Sequence, residues 1–258
     1  MKKLAVVSIT ITFLVGLYFG LNLKNFRSEN YYPKVLGVPV PAEEKGVDIE
    51  IKGAKFKAFY LKVPYGGDII LIPNFSEKET SANIFERSKC RALISGGFYN
   101  LDGFPTGLFI SEGQEIKGYS RSSLANAIYS LNDFETPRIT QPPPRDHLRI
   151  ALQAGPLLIE NSLRQKLRLA RDEEARRIVL AITGENESVF IVFFSPESVY
   201  SGPKLADLAD VLNEFQSKTG IILADAMNLD GGTASAFYTD EIRLPETKSV
   251  GSFLCIKK

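Results

Sequence analysis

The chain has 258 residues and a formal net charge of +1, with 31 Lys and Arg set against 30 Asp and Glu. That balance supplies neither a basic field for nucleic acid nor an acidic tail. Only two cysteines, Cys90 and Cys255, and one histidine, His147, are present, with no CxxC or HxxxH spacing, which argues against structural zinc and against a histidine-based triad. His147 follows three prolines and reads as a loop or strand-edge residue.

Met1, Lys2 and Lys3 precede residues 4–23, which carry no charge and are long enough to span a bilayer. The two lysines put the start of this segment on the cytoplasmic side and the rest of the chain outside. Residues 1–24 are expected to be an uncleaved signal anchor, because 18–22 offers no Ala-x-Ala cleavage site; a cleaved signal peptide, giving a secreted protein, is the alternative. Residues 25–46, with Pro33, Pro39 and Pro41, read as a linker, and 47–258 as the folded domain. In an exported domain the two cysteines could pair across neighbouring strands, although separate buried thiols are the preferred reading.

In the domain, residues 47–51 and 56–63 alternate as strands. A turn at 65–68 leads to a strand at 69–72, and a strand–turn–strand hairpin fits these residues. Residues 81–89 predict a short helix capped by Thr80 or Ser81, and 91–95 a buried strand. A second hairpin is expected at 108–116, a strand at 124–131, a proline-rich surface loop at 136–144, and strands at 148–151 and 157–159. Residues 161–177 are densely charged and read mainly as a solvated face. Strands at 178–182 and 189–194 flank a turn at 184–186. Leu205, Leu208, Ala209, Leu212 and Phe215 recur at helical spacing, so 204–218 predicts an amphipathic helix ended by Gly220. The close is 236–238, a turn and a strand at 252–256. The fold class expected is α+β: a strand-rich mixed-sheet core with a few helices, in a single domain behind the membrane segment.

Residues 224–237 concentrate chemistry: Asn228, Asp230, Gly231, Gly232, Thr233 and Ser235 follow an apolar run. Glycines at a strand end let the backbone come close to a ligand, whereas a plain tight turn would use Asp230 on its own backbone. An EF-hand register would put Ala226 and Phe237 at ligand positions, which excludes it. No Walker A, GxGxxG or GxSxG element occurs. The sequence requires no cofactor and leaves open a divalent cation on Asp230 and Asp225. Two further glycine-rich strand ends lie at 96–98 and 153–156. Together these segments offer the carboxylates of glycosyl transfer, amides for sugar hydroxyls and arginines for phosphate.

In order, Ser95-Gly-Gly-Phe98, Gly107, Gly113, Ala154-Gly-Pro-Leu157, Arg177 and Asn228-Leu-Asp-Gly-Gly232 with Ser235 resemble the phosphodiester glycosidase domain family. That family includes the mannose-6-phosphate uncovering enzyme, N-acetylglucosamine-1-phosphodiester alpha-N-acetylglucosaminidase. The resemblance covers roughly residues 69–258 and implies hydrolysis of a sugar-1-phosphodiester on an extracytoplasmic glycan or glycoconjugate. It implies Asp230 as acid/base or transition-state stabiliser, and Asn228 and Ser235 as ligands of sugar hydroxyls or supports of Asp230. Arg177 would contact the phosphate. Gly96, Gly97, Phe98, Asn100, Gln153, Gly155, Gly231 and Gly232 complete the expected substrate-binding set. The chain departs from the family pattern at Ser95, where asparagine is usual, and at Ile178 and Ala181 after the arginine. Asp102 and Asp225 are positional candidates for a second carboxylate. The competing readings are a non-catalytic glycan-binding envelope protein and a membrane-held assembly protein.

Overall fold

In the computed structural model, the chain divides into units 1–40 and 41–258. Residues 44–100 and 102–257 are described. The expected anchor and most of the linker lie outside these residues; no helix among the described residues is long and apolar enough to cross a membrane.

Three sheets make the second unit. The first has seven strands in the order β1 (Glu44–Ile51), β2 (Ala54–Val63), β13 (Ser188–Phe194), β12 (Arg177–Thr183), β14 (Leu223–Asn228), β10 (Leu157–Glu160) and β11 (Leu163–Arg164). The second has five, ordered β16 (Arg243–Leu244), β15 (Phe237–Tyr238), β4 (Cys90–Ser95), β17 (Ser252–Lys257) and β3 (Ile69–Pro73). The third also has five, ordered β6 (Gln114–Lys117), β5 (Phe109–Ser111), β9 (Leu148–Ala154), β7 (Ala127–Asn132) and β8 (Pro137–Thr140). Neighbouring strands in all three run antiparallel, so the expected mixed sheet is corrected. Antiparallel pairing needs no βαβ crossover, and the described residues hold only two α-helices, α1 (Ser81–Arg87) and α2 (Leu208–Thr219).

The sheets meet at one core. Leu180, Phe190 and Met227 of the first sheet, Leu71, Ile94 and Leu254 of the second, and Phe109, Tyr129 and Leu152 of the third belong to one buried cluster. Strand alternation sends the other face of β12 and β13, with Val179, Ala181, Ile191 and Phe193, under α2, where they meet Leu208, Leu212 and Phe215. Helix α1 is capped by the Thr80 hydroxyl and covers Cys90 and Phe253 with Ile84 and Phe85. Gly220 closes α2 in the left-handed region, φ 73°.

Several expectations need correction. The strand at 69–73 is no hairpin partner of β2: it leaves for the second sheet and pairs with β17. Val63 and Ile69 still face the same central core, so the turn between them carries the chain from one layer to the next. The proline-rich segment contains β8, whose Pro137 opens a strand at the edge of its sheet, where a missing N–H is tolerated. Strand β1 starts at Glu44, inside the span expected to be linker. Cys90 and Cys255 form a disulfide rather than two thiols, because β4 and β17 are neighbours and bring their Cα atoms to 5.5 Å.

Candidate active site

Strand β14 lies between β12 and β10, and its exit is fixed by main-chain hydrogen bonds to three different segments. Leu229 N–H donates to Ile178 O (2.8 Å), Asp230 N–H to Gly96 O (3.1 Å) and Gly232 N–H to Arg176 O (2.8 Å). Asp230 therefore sits where the end of β14, the start of β12 and the end of β4 converge. A side chain at Gly231 would force the backbone to shift: a Cβ there would lie 2.6 Å from the Arg176 carbonyl oxygen, which is main chain and does not move aside cheaply.

The Asp230 carboxylate accepts Gly231 N–H at 2.9 Å. Burial pushes its pKa up to about 7, against the lowering effect of that hydrogen bond. A carboxyl poised there exchanges a proton at neutral pH. Tyr99 lies within its field: burial first, then the charges of Asp230 and Glu246, push the phenol up to about 12. The phenol donates to Ser249 O.

The sequence-derived site residues fall into three groups. Gly96, Asn228, Gly231, Gly232 and Ser235 are gathered around the Asp230 turn. Asn228 Nδ2 donates to Gly155 O (3.0 Å) and Leu229 O (2.6 Å), so its amide holds the turn to the strand end at 155, while its buried Oδ1 has no partner. The Ser235 hydroxyl donates to Gly232 O (2.7 Å) and closes the turn.

The second group supports the loops. The Gln153 Oε1 accepts from Leu108 N (2.8 Å) and Ser120 N (3.1 Å), and its Nε2 donates to Ser120 O (2.5 Å) and Ala125 O (2.7 Å). Its amide is fully spent tying two loops to β9, leaving nothing for a ligand. A Cβ on Gly97 would stand 2.8 Å from the Gln153 carbonyl, so the loop after β4 rests directly on that strand. Phe98 O receives Thr106 N–H (3.1 Å), and Asn100 Oδ1 accepts from Asp102 N (3.1 Å) and Phe104 N (2.9 Å), shaping an exposed turn.

The third group is directed elsewhere. Arg177 donates to Pro203 O (2.9 Å) and Glu173 O (2.5 Å) and pairs with Asp172 at 3.4 Å. Asp225 accepts Asn161 N–H (2.9 Å) near the far end of β14. His147 pairs with Asp133 on the surface.

Arg176, which sequence reasoning passed over, is the arginine beside the motif. It is fully buried, donates through Nε to Ser235 Oγ (2.9 Å) and through Nη2 to Ser235 O and to Pro245 O (2.9 Å), and stacks over Tyr200 at 5.0 Å. Its Nη1 has no partner, and burial lowers its pKa to about 10. The signal was available in the tandem Arg176-Arg177: strand alternation places Arg176 on the side of Ile178, which faces the three-sheet core, and Arg177 on the side of Val179, under α2. Tyr99 carried no such signal, since its contact with Ser249 spans 150 residues.

Among the described residues no cluster of three or more His, Cys, Asp or Glu could hold a metal ion. Two open grooves lie away from this convergence. One of about 660 Å³ is lined by Lys62, Glu187 and Lys218 at the other end of β12, and one of about 470 Å³ by Phe59, Phe194 and Ile242. Neither contains Asp230.

The sequence pattern of the phosphodiester glycosidase family matches residues 88–257. No curated protein matches the chain. Among solved structures, the zebrafish N-acetylglucosamine-1-phosphodiester alpha-N-acetylglucosaminidase catalytic domain, auto-inhibited by its pro-peptide, is similar with a TM-score of 0.65 at 13% identity, over 84% of this chain and 83% of that one. A hypothetical protein from Synechocystis gives 0.55 at 14% identity, over 83% of this chain and 61% of that one. A Burkholderia pseudomallei K96243 protein classed as exported gives 0.52 at 12%, over 80% and 75%. At these identities the likeness is one of fold.

Proposed function

The chain belongs to the phosphodiester glycosidase family, and we propose that it hydrolyses a sugar-1-phosphodiester in an extracytoplasmic glycan or glycoconjugate. The observation that carries this reading is the partly buried Asp230 carboxyl, held at neutral-range pKa on a turn inside the family-matched region. Water adds its hydroxyl to the anomeric carbon, the phosphomonoester leaves, and Asp230 exchanges the proton. Gly231 lets the turn come close to the substrate, with Phe98 and Asn100 on the loop beside it; Gly96 and Gly232, whose N–H and C=O groups are bonded within the fold, and Gly97, packed on β9, shape the turn instead. Asn228 and Ser235 act by holding the turn, as their internal hydrogen bonds suggest. Arg177, occupied by Asp172 and two carbonyls, serves the fold rather than the phosphate.

The proposal includes placement: 1–24 anchors the chain in a membrane, and the domain works outside the cytoplasm. The Cys90–Cys255 disulfide supports an oxidising compartment, as does the likeness to a protein classed as exported.

The test is a turnover assay of the domain from about residue 31 against a panel of sugar-1-phosphodiesters, with Asp230→Asn alongside. Sugar release with a pH limb near 7, abolished in the variant, is the expected result. A rate that falls above the limb makes Asp230 the acid; one that falls below it makes it the base. Sugar binding without release from any panel member would instead favour a glycan-binding protein.

A further inference from the structure

Residues 245–251 form a strap pinned along its length. Pro245 O takes Arg176 Nη2, and the Glu246 carboxylate takes Ser81 N–H (2.8 Å) and the Ser81 hydroxyl. The N–H groups of Thr247 and Lys248 both reach Thr233 O, at 2.8 and 3.0 Å. Val250 O and Gly251 O are both taken by Asn74, through Nδ2 and backbone N–H, each at 2.8 Å. Thr233 is three residues beyond Asp230, so the strap runs along the turn that carries the carboxyl.

Tyr99 approaches from the loop after β4, three residues past Gly96, whose carbonyl holds Asp230 N–H. Its ring rests on the strap itself: a Cβ on Gly251 would stand 2.8 Å from Tyr99 Cδ1. Its hydroxyl donates to Ser249 O. One side chain thus joins the two segments that flank Asp230.

The geometry points to Tyr99 as a positioning residue: its hydroxyl latches the strap against the Asp230 turn and so limits the access of water to the carboxyl. The ionisable groups around this junction are Asp230, Tyr99, Glu246 and Arg176, with Lys248 on the strap. Burial is the leading cause of the raised Asp230 pKa, so access of water is the lever that would move it. The latch rests on the proposed hydrolysis only for its catalytic consequence; its physical effect is read without turnover.

The experiment compares thermal unfolding of the wild type, Tyr99→Phe, Asp230→Asn and the double variant at pH 4 and pH 8. The readout is the rise in Tm that Asp230→Asn produces at pH 8 beyond that at pH 4. Tyr99→Phe keeps the ring on Gly251 and removes only the donor. The expected result is that this rise falls by at least half in the Tyr99→Phe background. Gly251→Ala, which displaces the ring, should shrink it likewise and stands in if Tyr99→Phe fails to fold. An undiminished rise, or none in the wild-type background, overturns the latch. Where turnover is found, the pH limb should move toward acid in Tyr99→Phe; a fall in rate with an unmoved limb would also overturn it.

Discussion

Replacing Asp230 by asparagine should stabilise the protein above neutral pH while removing activity. The carboxyl moves from an ordinary 3.8 to about 7 on folding, a shift of about three pKa units caused by burial. At ~1.36 kcal/mol per unit the folded state loses up to roughly 4 kcal/mol when Asp230 ionises. Asp230 is partly open to solvent, so a figure of about 2–4 kcal/mol is appropriate. The sign follows from the raised value. The protonated form is the one the fold prefers, so this contribution is fully present below pH 3.8 and is lost as pH rises through about 7. Asparagine carries no charge to desolvate, and its oxygen can still accept Gly231 N–H. For a domain of this size ~2–4 °C accompanies each kcal/mol, so the variant should melt roughly 5–15 °C above the wild type at pH 8 and level with it at pH 4. Calorimetry at the two pH values measures this directly. Equal shifts at both, or a loss at pH 8, would refute the burial of an ionisable carboxyl.

Gly231→Ala pushes a methyl to 2.6 Å from Arg176 O; a stability loss of ~1–3 kcal/mol in urea and a larger fall in turnover are expected, since the displaced backbone carries Asp230. Reducing Cys90–Cys255, which spans 165 residues of chain, should lower unfolding free energy by ~2–5 kcal/mol, read as a shift in urea midpoint with and without reductant. Arg176→Gln should cost more stability and activity than Arg177→Gln, because Arg176 is fully buried and binds the Ser235 turn at two atoms; the reverse order would return Arg177 to the site.

What could be read from the sequence was what is local. The apolar runs at 178–182 and 189–194, either side of a turn, became the hairpin of β12 and β13, and the helical spacing from Leu205 became α2 after a short 3-10 turn. The glycine and amide cluster at 228–232 became the convergence of three segments. What escaped was decided by distant partners. Nothing near residue 69 says that its strand pairs with 252–256, and the same long-range pairing carries the disulfide. Gln153 looked like a free amide because the carbonyls of Ser120 and Ala125 that use it belong to another loop. Arg176 escaped notice because strand parity decides it, one residue reversing the face.

Strand β17 occupies an inner position of the second sheet, between β4 and β3. Both neighbours are made more than 150 residues earlier in synthesis. Until residues 252–257 emerge, Ile69–Pro73 and Cys90–Ser95 have no partner between them, and their apolar edges must wait. A chain moving N-terminus first through an export channel would thus deliver its keystone late. Because β17 joins both of these strands, the domain is intolerant of even short deletions at 252–257.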